Sequence, residues 1–72
     1  MTVIYRIRLH PFEGEDLLYE GFGAKSDADA FWEETVGNEG LLSKIPCESA
    51  ILTYEELCHG TWVAVSTKLV IR

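Results

Sequence analysis

Cysteine, proline and basic residues are scarce in this chain of 72 residues, numbering two, two and six. Each scarcity excludes something. Two cysteines allow one bridge at most, between Cys47 and Cys58, whereas a small secreted scaffold carries a dense disulfide framework. Six Lys and Arg against twelve Asp and Glu leave little positive charge to release counterions from phosphate, the main source of affinity for nucleic acid. No apolar run approaches the roughly 20 residues of a membrane span, and no basic stretch leads into an apolar segment with a small-residue cleavage site. The expectation is a cytoplasmic protein with both thiols reduced, binding neither nucleic acid nor membrane directly. Repeats, low-complexity tracts and linkers are also missing, so residues 1–72 should form one small domain. A domain of this size leaves no room for a deep substrate cleft, and its modest core makes self-association a natural supplement.

What is present is acid, unevenly placed. Glu13, Glu15, Asp16, Glu20, Asp27, Asp29, Glu33, Glu34 and Glu39 face the single Lys25 in the middle of the chain, a local net of −8 within a total of −6. Residues 1–12 carry only Arg6 and Arg8, and beyond Gly40 the charges of Glu48, Glu55 and Glu56 balance Lys44, Lys68 and Arg72. Such an asymmetry creates a one-signed field over part of the surface, which bears on partners and association rates.

The periodicities predict the order ββαββ. In "TVIYRIRLH", Val3, Tyr5, Ile7 and Leu9 alternate with Ile4, Arg6, Arg8 and His10, the period-2 pattern of a half-buried strand. "PFEGED" has the composition of a turn. "LLYEGFGA" reads as a second strand in which Gly21 and Gly23 signal a bulge or a close backbone approach. Ser26 is expected to open a helix through an S-x-x-D capping box with Asp29. At about 100° per residue, Ala28, Phe31, Trp32, Thr35 and Val36 fall on one side of that helix, and Asp27, Asp29, Ala30, Glu33 and Glu34 on the other. Gly37 is its expected stop. Leu41, Leu42 and Ile45 then need apolar cover, and "AILTY" reads as a third strand followed by a turn or single helical turn, "EELCHG", closed by Gly60. "TWVAVSTKLVI" is the longest strand candidate, with Val63, Val65, Thr67, Leu69 and Ile71 expected inward and Trp62, Ala64, Ser66, Lys68 and Val70 outward. The expected α+β architecture is a four-stranded antiparallel sheet with one helix on one face. The other face would carry Arg6, Arg8, His10, Trp62 and Lys68, or be covered by a second copy of the chain.

No constellation meets the requirements of catalysis. Cys58-His59 suggests a nucleophile and base, but neighbours in an extended chain point apart and no third orienting group is evident. Adding Cys47 and His10 does not produce the paired close spacings of a structural zinc site. "EGED" with Glu20 lacks the spaced ligands of a calcium loop, and "YEGFGAKS" lacks the glycine spacing of a phosphate loop. Abundant surface Glu is no sign of the paired carboxylates of a glycosidase. Arg6, Arg8, His10 and Trp62 imitate a nucleic-acid stacking platform, but pairing of the arginines with a neighbouring-strand carboxylate, Glu20 foremost, accounts for them more simply. We therefore expect no enzymatic activity, no cofactor and no metal.

The acid-rich helix is the remaining feature. Duplex DNA presents a charge every ~1.7 Å of axis, about six over 10 Å; four carboxylates over a helical rise of roughly 10 Å from Asp27 to Glu34 come close to that density. The function expected from this is a protein-binding module that docks Asp27, Asp29, Glu33 and Glu34, extended by Glu13, Glu15, Asp16 and Glu39, on a basic groove of a nucleic-acid-binding protein, with Trp62 or Phe12 as anchor. In size, charge and compactness alone, without any shared motif, the chain is similar to the small acidic inhibitors with which phages block host nucleic-acid-handling defences, such as anti-restriction and anti-CRISPR proteins. Solubility alone is the competing explanation of the acidic face. The alternative function is a homo-oligomeric structural or accessory protein, possible as a homodimer through the free sheet face or the C-terminal strand, where "LVIR" offers an edge for pairing.

Overall fold

A computed structural model describes residues 2–38 and 45–71 of the chain. Strand β1 (Tyr5–Pro11) pairs antiparallel with β2 (Leu18–Phe22) on one side and with β3 (Ser49–Cys58) on the other, and β3 pairs antiparallel with β4 (Thr61–Ile71). Among the described residues this makes one four-stranded sheet in the order β2-β1-β3-β4. Helix α1 (Lys25–Gly37) joins β2 to β3 and packs on one face. The order is ββαββ and the fold class α+β, as the periodicities predict. Glu39, Leu41 and Leu42 lie outside the described residues.

The alternation in β1 sets the core. Ile7 and Leu9 point at the helix with Leu52, Tyr54 and Ala50 from β3 and Val70 from β4, and Ala28 and Ile45 close the cluster. Phe31, Trp32 and Val36 are half-buried against it. Aromatic contacts fix the helix in place: Phe31 lies 5.4 Å from Phe22 and Trp32 5.9 Å from Tyr54, between ring centroids, and Tyr54 meets Tyr5 edge-on at 6.3 Å. These spacings are those of favourable ring pairs, worth ~0.5–1.5 kcal/mol each beyond area burial.

Four local expectations require correction. The capping box at Ser26 does not form: the N-cap position is Ala24, which makes no side-chain cap bond, and Ser26 already lies inside the helix. The Asp29 carboxylate is taken instead by Lys25 and Tyr54. Gly37 is the last helical residue rather than a left-handed stop beyond it, and the amide of Asn38 bonds to the Thr35 carbonyl at 3.2 Å. "EELC" continues β3 instead of turning. The chain reverses only at His59 and Gly60, both in the left-handed region (φ 51° and 78°), as a two-residue hairpin matched to the strand twist requires.

The fourth correction concerns β4. Tyr54 pairs with Ser66 but Glu55 with Ala64, so Val65 is an extra residue in a β-bulge. Beyond it, Ala50 faces Val70 and Leu52 faces Lys68. That register turns Val70 into the core, 4% exposed, and leaves Leu69 and Ile71 on the open face, 56% and 71% exposed. The whole expected inward set, Val63, Val65, Thr67, Leu69 and Ile71, is exposed, although Val63, before the bulge, pairs with Glu56 on the helix-covered side. Apolar residues occupy both phases of this strand, so alternation could not choose between them. At Gly21, by contrast, the register with β1 is unbroken and the glycine answers to a close approach: a Cβ there would meet Val3 Cγ1 at 2.9 Å.

Candidate functional site

Two surfaces among the described residues gather charged side chains. The first is the outward side of α1. Because Ala28 and Thr35 are buried and Phe31 and Trp32 packed against the sheet, helical geometry directs Asp27, Glu33 and Glu34 to water, and all three are exposed. Among the described residues no cation pairs with any of them. Asp29 differs. It accepts the Tyr54 hydroxyl at 2.7 Å through one oxygen and the Lys25 ammonium at 2.7 Å through the other, so it joins the helix to the sheet. The Lys25 bond and then the Tyr54 bond hold its carboxyl below the usual range, while the same pairing raises Lys25. Burial, followed by the bond to Asp29, pushes the Tyr54 hydroxyl well above its ordinary value.

Glu13, Glu15 and Asp16 lie exposed in the turn between β1 and β2. Asp16 stands 3.6 Å from the Arg8 guanidinium. A concavity of 460 Å³ lined by Glu13, Glu15, Asp16 and Cys47 opens widely to solvent beside this turn. Phe12, at the start of the turn, is 66% exposed.

The second surface is the sheet face away from the helix. Arg6 and Arg8 project there from β1, and one oxygen of Glu55 on β3 accepts the Nε of both at 2.8 Å. Glu55 is only 8% exposed. Burial by itself would raise its carboxyl, but the bonds to Arg6 and Arg8 outweigh that and hold it below the usual range. The Arg6 guanidinium lies 4.1 Å from the centroid of the Trp62 ring, a cation–π distance, so one face of this indole is already occupied. His10 and Thr53 approach to 3.3 Å on the same face.

Two partnerships here differ from expectation. The carboxylate that satisfies the arginines is Glu55, not Glu20: Glu20 pairs in register with Ile7 and so lies on the opposite side of the sheet from Arg6 and Arg8. Lys68 belongs to the helix-covered side, its ammonium 3.5 Å from the carbonyl of Val36 near the helix C-terminus, where the macrodipole favours a cation. By composition "EEL" resembles a turn, which hides Glu55 as a strand residue. The signal was the continued alternation of Ile51, Thr53, Glu55 and Leu57 against Ala50, Leu52 and Tyr54.

Cys47 and Cys58 are free thiols. Cys47 donates to the Ser49 carbonyl at 3.2 Å at the start of β3, and Cys58 ends the same strand. Nine residue-to-residue steps of extended chain, ~30 Å, separate the ends of this strand, so the two sulfurs cannot bridge or share a metal. Among the described residues no three potential metal ligands converge, and no helix is long and apolar enough to cross a membrane. Comparison with known proteins finds no family model that matches the chain, and no curated protein or solved structure similar enough to count as a match.

Proposed function

We propose that the protein is a non-enzymatic binding module that presents the carboxylates of α1 to a basic groove of a nucleic-acid-binding protein, in the manner of a small inhibitor or regulator. One observation carries this reading: among the described residues Asp27, Glu33 and Glu34 stand exposed and unpaired on a helix whose opposite side is committed to the core. Carboxylates used to hold a fold together are paired, as Glu55 and Asp29 are. Charges kept unpaired on a rigid element remain available to a partner, where they accelerate encounter and favour electropositive surfaces. Glu13 and Glu15 extend the acid along the β1–β2 turn, and Phe12 beside them supplies an exposed aromatic ring. Asp29 and Trp62 contribute from within the fold, the first by fixing the helix and the second by backing Arg6.

The test is capture from an extract of the source cell with the immobilised protein at low and high salt, alongside the variant Asp27→Asn/Glu33→Gln/Glu34→Gln. A partner retained at low salt, released at high salt or by added duplex DNA, and missed by the variant is the expected result. Equal retention by the variant contradicts the reading, as does a partner that salt leaves in place.

A further inference from the structure

We propose that the outer edge of β4 is a self-association surface, and that two copies of the chain pair antiparallel through Thr67–Ile71 to form one eight-stranded sheet. This inference is independent of the acidic-face reading. The sheet has two edges, and they are treated differently. β2 is five residues long, contains Glu20 and Gly21, and adjoins the acidic turn; short length and charge are the usual protections of an edge. β4 runs for eleven residues, with Val63, Val65, Leu69 and Ile71 each about half exposed or more.

Charge selects a second copy as the occupant. The chain carries twelve Asp and Glu, yet none falls within Thr61–Ile71. Two copies of a protein with net charge −6 repel when most of their surfaces meet, and this strand is where their carboxylates stay apart. The one charged residue within Thr61–Ile71, Lys68, lies instead beside the Val36 carbonyl.

Register makes the pairing self-complementary. A two-fold axis at Leu69 sets Leu69 against its own copy and Thr67 against Ile71 of the other chain, all on the open face. On the helix-covered face the same register sets Lys68 against Val70, so no lysine opposes a lysine. Centring the pair on Lys68 would oppose the two ammonium groups, which is destabilising across strands. The bulge at Val65 bends the strand and limits the pairing to the residues beyond it. Such a pairing buries the side chains of Leu69 and Ile71 and satisfies a row of edge amides and carbonyls, forming an isologous contact that closes after two copies.

Sedimentation velocity of the full chain over a dilution series should show a species of twice the 8.1 kDa chain mass that dissociates as it is diluted. Leu69→Lys/Ile71→Lys, at two exposed positions, should keep the far-UV circular dichroism and weaken association by at least about tenfold, because it sets like charges at the axis. Asp27→Asn/Glu33→Gln/Glu34→Gln should leave it intact. Deuterium exchange of the unaltered chain should slow at Thr67–Ile71 as concentration rises, which locates the contact even if the lysine variant fails to fold. A monomer at every concentration overturns the proposal, as does a dimer that tolerates the lysines or whose concentration-dependent protection lies elsewhere.

Discussion

The two faces of the sheet are built by opposite means from the same alternating strands. Toward the helix, Ile7, Leu52 and Ala50 are fully buried among apolar neighbours. On the other side, no helix among the described residues covers the sheet, and Arg6, Arg8, Glu55 and Trp62 form a layer one side chain thick, tied by charge-assisted bonds and ring stacking. A core excludes water by volume, whereas the open face shields its strands by pairing one buried carboxylate with two long side chains whose stems lie along the sheet. The comparison separates carboxylates that hold the fold from those that do not: Glu55 and Asp29 are paired, while Asp27, Glu33 and Glu34 have no cation partner among the described residues.

Removing volume from the helix-covered face should have the largest effect. Leu52→Ala empties a fully buried position and should cost about 2–5 kcal/mol. A domain of this size has roughly 3–5 kcal/mol of net stability from its core, so urea or thermal unfolding should find that this variant has lost most of its stability at 25 °C. Survival with a near-native melting temperature would show that the helix does not seal that face.

The open face should respond less to truncation and more to pH. Glu55→Gln leaves two half-buried guanidinium groups without their anion and should cost about 2–3 kcal/mol. Because the folded state holds the Glu55 and Asp29 carboxyls below their usual range, it binds fewer protons than the unfolded chain as pH falls. Their contribution is complete above the unfolded carboxylate range, about pH 4–4.5, and fades below it as the folded values are crossed. Tyr54 acts with the opposite sign: its raised value makes its contribution complete below about pH 10 and lost as the hydroxyl ionises. Stability followed by urea titration should therefore fall through an acid limb and an alkaline limb, and Glu55→Gln should blunt the acid limb while sparing the alkaline one.

Much of this contrast was legible in the sequence. Strict alternation in "YRIRLH" placed Ile7 and Leu9 opposite Arg6 and Arg8, and the helical spacing of Ala28, Phe31 and Trp32 against Glu33 and Glu34 fixed which side of α1 faces the sheet. The phase of β4 was not legible, since Val70 competes with Leu69 and Ile71 on equal terms and a bulge at Val65 resets the register. Nor was the identity of the arginines' partner. Glu20 and Glu55 both lie on strands next to β1, and only the pairing of Arg6 with Glu55, and of Ile7 with Glu20, decides which carboxylate shares a face with them. Local pattern fixes faces within an element; cross-strand register is a property of the pair.

The separation of structural from unpaired carboxylates is tested most directly by comparing urea midpoints of Glu33→Gln/Glu34→Gln and Glu55→Gln with that of the unaltered chain near neutral pH. The double neutralisation on the helix should change stability by less than about 0.5 kcal/mol, as exposed substitutions usually do, while the single change at Glu55 shifts the midpoint clearly downward. A loss above about 1 kcal/mol on the helix, or none at Glu55, would contradict it.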